Sequence, residues 1–270
     1  MDFDNKVNGM DSTSKWSREE LKLAFHLYCQ TPFGRLHRLN PEIVELASLL
    51  GRTPNALAMK LSNFASLDPA ITQSGRKGLS RSSKLDREVW QEFHGQWEQL
   101  AVECALHLER LRSAKGMELP VDPQPTVESA EEYAGETRSV MTEARIKQGF
   151  FRRTILSSYG FKCCISGVSE PRLLVASHIV PWHRDRQNRL NPRNGLCLSA
   201  IHDRAFDAGL IALSNDHCVL LSQKLKASRD EFVHQVFGPL EQKPIVLPDR
   251  FHPEEAFLSL HRTEIFVDGG

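Results

Sequence analysis

The chain has 270 residues, 40% of them hydrophobic and 25% charged, with 34 Lys and Arg against 34 Asp and Glu. That balance excludes wholesale disorder and fibrous repeats and predicts a globular protein of two modest domains. No apolar run approaches the length of a membrane span and no basic-then-apolar leader is read, so a cytoplasmic protein with no membrane partner is expected. Cys29, Cys104, Cys163, Cys164, Cys197 and Cys218 show no CxxC spacing, and reduced thiols are expected rather than disulfides or a zinc ribbon.

Taken in chain order, the elements begin as helices. Ser17 and Glu20 have capping-box spacing ahead of the stripe Leu21, Ala24, Phe25 and Tyr28. Asn40-Pro41 starts a second helix with Ile43, Leu46, Ala47 and Leu50 on one face, ended by Gly51. Thr53-Pro54 starts a third, lined by Leu57, Leu61 and Phe64 and closed before Pro69. The second and third helices form a helix-turn-helix candidate with Arg52, Asn55, Lys60, Ser62 and Asn63 as an exposed set suited to phosphates and base edges. A three-helix bundle that packs or binds another protein is the alternative. Arg76, Lys77, Arg81, Lys84 and Arg87 read either as a phosphate-tracking stretch or as a solvated loop. The stripe from Val89 through Trp90, Phe93, Trp97, Leu100, Ala101 and Cys104 to Leu108 predicts one long helix with core aromatics.

The segment 113–137 holds Lys115 against six acidic residues and carries Pro120, Pro123 and Pro125, the composition of an extended linker between a helical domain, 1–112, and a second domain, 138–270. From 138 to 222 the count turns to 12 basic residues against six acidic, a local positive excess inside a neutral chain. A helix marked by Val140, Ala144, Phe150, Phe151, Ile155, Leu156 and Tyr159 runs to Gly160. Two short apolar runs follow, Cys163 to Ser166 and Leu173 to Ile179, then a loop rich in Arg, Asn and Asp, then Asn191 to Leu198 and a helix from Ser199 to Gly209. A helix near Arg229 to Val236 and proline-broken segments ending in Phe257, Leu258 and Leu260 are expected to cover this core without adding a site.

The text "ASHIVPW" followed by "NPRNGLCLSAIHDRAFDAG" resembles the HNH nucleases over roughly residues 138–222, and in particular a bacterial subgroup in which the nuclease module follows a variable N-terminal domain. His178 stands 16 residues before Asn194 and 24 before His202, the order and spacing of the family signature. The resemblance implies an α+β chain whose C-terminal domain is a β-hairpin crossed by one helix around a single divalent metal, Mg²⁺ or Mn²⁺ first, with Zn²⁺ or Ni²⁺ as alternatives. His178 is then the general base, since a neutral imidazole takes a proton from water near neutral pH. Asn194 cannot titrate and would hold either the imidazole or the loop backbone. His202 would be a metal ligand, with Asp207, five residues on, a better second ligand than the adjacent Asp203. Ser177 stands where the family often has Asp or His, so it is a weak candidate ligand. Cys164 and Gly167 occupy positions where some relatives carry two metal-binding thiolates, but Cys197 lacks a partner at CxxC spacing, so no structural zinc is expected and Cys163, Cys164 and Cys197 are read as core.

Arg184, Arg186 and Arg193, with His183 and Arg189, lie in the loop between the two halves, where they would bind phosphates or simply be solvated. The expected activity is metal-dependent hydrolysis of DNA phosphodiester bonds in restriction or antiviral phage defence, with no small-molecule cofactor. A homodimer is expected if both strands are cut. The open alternative is a catalytically inactive DNA-binding regulator, or an adaptor, built on the same scaffold.

Overall fold

The computed structural model of the protein describes residues 15–76, 78–79, 82–117 and 138–268. The fold is α+β and mostly helical, and the chain divides between residues 132 and 133 into two compact units.

The N-terminal unit comprises α1 (Arg18–Gln30), α2 (Pro41–Leu50), α3 (Pro54–Leu67), α4 (Pro69–Gln73), α5 (Lys84–Phe93) and α6 (Trp97–Ala114). Every start but that of α6 is set by a side chain that satisfies an otherwise unpaired helix amide. Ser17 and Glu20 complete a capping box on α1, Asn40 accepts from the Glu42 amide, and Thr53 accepts from the Ala56 amide. Gly51 ends α2 in the left-handed conformation at φ 66°. Phe25 is the hub of the core, 5.2 Å from the Phe64 ring and 5.3 Å from the Trp90 ring, with Tyr28 donating to the buried Asp68 carboxylate at 2.9 Å. The predicted long helix is instead two. α5 stops at Phe93 and α6 starts at Trp97, with His94, Gly95 and Gln96 between them, so the apolar stripe spans two helices that meet in one core. The basic stretch is split as well: Lys84 and Arg87 belong to α5, while Lys77 and Arg81 lie outside the described residues.

The linker expectation falls largely on 118–137, outside the described residues, although α6 carries the chain to Ala114. The C-terminal unit opens with α7 (Arg138–Ser158), then β1 (Leu174–His178), β2 (Gly195–Ser199), α8 (Ala200–Asp207), β3 (Ile211–Leu213), β4 (Val219–Leu221), α9 (Gln223–Lys226), α10 (Glu231–Phe237) and α11 (Glu255–Glu264). β1 pairs antiparallel with β2, His178 opposite Gly195 and Leu174 opposite Ser199, and α8 follows β2 without a loop. The run Cys163 to Ser166 is not a strand. Its amides and carbonyls close a turn, with the Gly167 amide donating to the Cys163 carbonyl and the Cys163 amide to that of Val168. A second pair, β3 with β4, was not signalled by periodicity, because three-residue strands are too short to show alternation.

α7 lies on one face of the hairpin. A methyl group on Gly195 would sit 2.3 Å from Ile155 Cδ1 and 2.9 Å from Phe151 Cζ, so this face closes only around a hydrogen at that position. Arg152 of α7 donates to the Leu174 carbonyl at 2.9 Å and ties the helix to the start of β1.

Candidate active site

His178 is the last residue of β1, and alternation along the strand turns it to the α7 face while Ser177 points the other way. Its ring stacks on Phe151 with centroids 4.0 Å apart and planes 4° from parallel, and Trp182 meets it edge-on at 5.6 Å. Its Nε2 atom lies 2.9 Å from the Arg189 carbonyl oxygen. A carbonyl only accepts, so Nε2 carries the proton and Nδ1 keeps its lone pair. Burial pulls the pKa from 6.5 down to about 4, against the opposing hydrogen bond to the Arg189 carbonyl and with help from the Arg189 charge. The imidazole is therefore neutral at pH 7.

Asn194, fully buried just before β2, works on the loop backbone and not on the imidazole. It accepts from the Val180 amide at 2.8 Å and donates to the Val180 carbonyl at 3.1 Å and the Asn188 carbonyl at 3.4 Å. It thus clips both ends of the segment that carries Trp182 and leads into Arg189.

His202, on the first turns of α8, is buried and turned toward Ser199 Oγ at 2.8 Å and Cys163 Sγ at 3.6 Å through Nδ1, while Nε2 has no hydrogen-bond partner. The Cys163 thiol, although burial raises its pKa, is pulled down to about 6 by its bonds to His202 and to Ser166. The partners of His178 and His202 do not overlap: Phe151, Trp182 and Arg189 around one, Ser199, Cys163 and Phe237 around the other.

Among the described residues no three His, Cys, Asp or Glu side chains are grouped to hold a metal. The remaining donors suit a hard cation in kind. Asp203 and Asp207 are four residues apart on α8 and so share a face, and Ser177 Oγ is buried without a hydrogen-bond partner. Carboxylate and hydroxyl oxygens are donors of the kind that hard divalent cations take.

The loop arginines are partly engaged. Arg184 pairs with Glu264 at 2.8 Å and Arg193 with Glu254 at 3.3 Å, whereas Arg186 is exposed with no ion-pair partner among the described residues. In the N-terminal unit the expected exposed set needs correction. Arg52 is buried against Glu20 at 2.8 Å, Lys60 is held by the buried Asp86 at 2.9 Å, and Asn63 is buried as well, leaving Asn55 exposed. The partners lie 23 to 32 residues away in sequence and meet these side chains only in the folded chain, which local spacing does not reveal.

Residues 163–214, from Cys163 through the hairpin, α8 and β3, match the family model described as HNH endonuclease. No curated protein matches the chain.

Proposed function

We propose, from the premise that residues 163–214 form an HNH endonuclease domain, that the protein hydrolyses DNA phosphodiester bonds with His178 as general base. The observation that carries this reading is the Nε2–H bond to the Arg189 carbonyl, which leaves Nδ1 of a neutral imidazole as the proton acceptor. Asn194 keeps the loop that supplies this carbonyl in place. Asp203, Asp207 and Ser177 Oγ would hold a divalent cation, with His202 Nε2 as the nitrogen donor on the same helix. When bound, such an ion supplies positive charge to the phosphate and the departing oxygen. Arg184, Arg186 and Arg193 would contact flanking phosphates, and the N-terminal unit, with Asn55 on its surface, would select the DNA or a partner protein. The cellular role that fits is restriction or phage defence.

His178→Ala should abolish nicking of supercoiled plasmid while DNA binding is retained, and full cleavage by that variant would remove His178 from the mechanism. EDTA should stop cutting and added Mg²⁺ or Mn²⁺ should restore it; cleavage indifferent to chelation would remove the metal. Ser177 in place of an acidic residue favours one rival, a DNA-binding protein without activity. Gel-shift binding with no nicking in any divalent metal selects that reading.

A further inference from the structure

The geometry points to Arg189 as a positioning residue for His178: its side chain, clamped on Trp182, fixes the carbonyl that decides which imidazole nitrogen keeps the proton. The inference rests on His178 being the base and extends that reading to a residue outside the His, Asn, His set.

Arg189 reaches the imidazole by two routes. Its own carbonyl oxygen accepts from His178 Nε2 at 2.9 Å. Its guanidinium lies over the Trp182 ring, 4.9 Å from the centroid, with Nε donating to the Trp182 carbonyl at 3.0 Å, and the same indole meets the His178 ring edge-on. The chain between β1 and β2 carries no strand or α-helix, so a few turn bonds between backbone groups and a set of side chains hold it. Asn194 clips Val180 and Asn188, Asp185 caps the amides of Gln187 and Asn188, and Arg189 joins the far half of the loop back to Trp182 in the near half. Asn194 and Asp185 hold the loop as far as Asn188, one residue short, and the clamp is what the Arg189 side chain itself adds to keep its carbonyl opposite Nε2. Without it the proton distributes over both ring nitrogens, and the fraction of rings with Nδ1 free to accept falls. Phe151 would still fix the ring plane, so the loss is one of tautomer and not of stacking.

The test uses the full ¹⁵N-labelled chain and compares Arg189→Met, which keeps the aliphatic stem, with Arg189→Lys, which can still place a cation on the indole and donate to the Trp182 carbonyl. Long-range ¹H–¹⁵N spectra, with His178→Ala identifying the resonances, report the tautomer without reference to activity. The wild type should show Nε2–H with an unprotonated Nδ1, Arg189→Met a mixture, and Arg189→Lys a return toward the wild-type pattern. Plasmid nicking by Arg189→Met should show kcat reduced about tenfold or more with KM little changed. An unchanged tautomer in Arg189→Met overturns the inference. So does a rise in KM at constant kcat, which would make Arg189 a phosphate contact. If His178→Ala still cuts DNA, it is the assignment of the base that fails, and the tautomer spectra continue to judge the clamp on their own.

Discussion

His261 in α11 donates from Nε2 to the Phe206 carbonyl at 3.1 Å while its ring stacks on the Phe206 ring at 3.7 Å, the same two contacts that fix His178. Burial pulls its pKa from 6.5 down to about 4, opposed by the carbonyl bond and aided by the Arg262 charge. An unfolded chain takes up that proton near pH 6.5 and the folded one only near pH 4, so the unfolded state binds more protons between these values. Stability is therefore full above pH 6.5 and falls as the pH drops through this window, with a slope of up to about 1.4 kcal/mol per pH unit from this group. Urea unfolding of the C-terminal unit, followed by NMR signals from β1 and β2, should show a shallower slope between pH 6.5 and pH 4 in His261→Leu than in the wild type. Equal slopes would mean that His261 does not titrate with folding. Some slope should remain in the variant because His178 shifts in the same direction. At this scale the order and spacing of His178, Asn194 and His202 were legible, and the HNH endonuclease family match covers all three positions. The Arg189 carbonyl was not, because a backbone oxygen is the same in every residue, and Arg52 and Lys60 were misjudged because Glu20 and Asp86 approach them only in the folded chain.

At the scale of elements, the contact between α7 and the hairpin decides how His178 is presented. Gly195 lies opposite His178, and an added methyl would meet Ile155 and Phe151, the latter being the ring on which His178 stacks. Gly195→Ala should destabilise the protein by about 1–3 kcal/mol through overpacking, and nicking should fall further than the loss of folded protein accounts for. Gly149, inside α7 with open space at its Cβ position, gives the contrast. Gly149→Ala should stabilise by about 0.5–1 kcal/mol with nicking unchanged, as measured by urea midpoints and plasmid assays. Helix starts were legible because Ser17, Asn40 and Thr53 cap through their own side chains. The break between α5 and α6 was not, since the apolar spacing continues across Gly95. Cys163 to Ser166 was mistaken for a strand because a buried turn can be as apolar as a strand, and the bond from the Cys164 amide to the Cys197 carbonyl joins it to β2 without a ladder.

At the scale of the molecule, a chain with 34 charges of each sign has no net pull on a polyanion, so DNA affinity depends on which cations are free locally. The positive excess in 138–222 was visible in the sequence, but its internal use was not. Arg193 bonds the His252 carbonyl and pairs with Glu254, just before α11, and Arg184 pairs with Glu264 at the other end of that helix. Exposed pairs of this kind are worth only about 0–1 kcal/mol, so a phosphate competes with the carboxylates at little cost, yet each exchange returns a negative charge to the surface beside the DNA. Replacing both carboxylates, Glu254→Gln with Glu264→Gln, should tighten binding of a DNA duplex at low salt. The slope of log affinity against log salt should steepen by up to about 0.9 for each arginine that then meets a phosphate. Fluorescence anisotropy across a salt series reads both quantities. A slope identical to that of the wild type would show that Arg184 and Arg193 serve the fold and that phosphate contact falls to Arg186 and its neighbours.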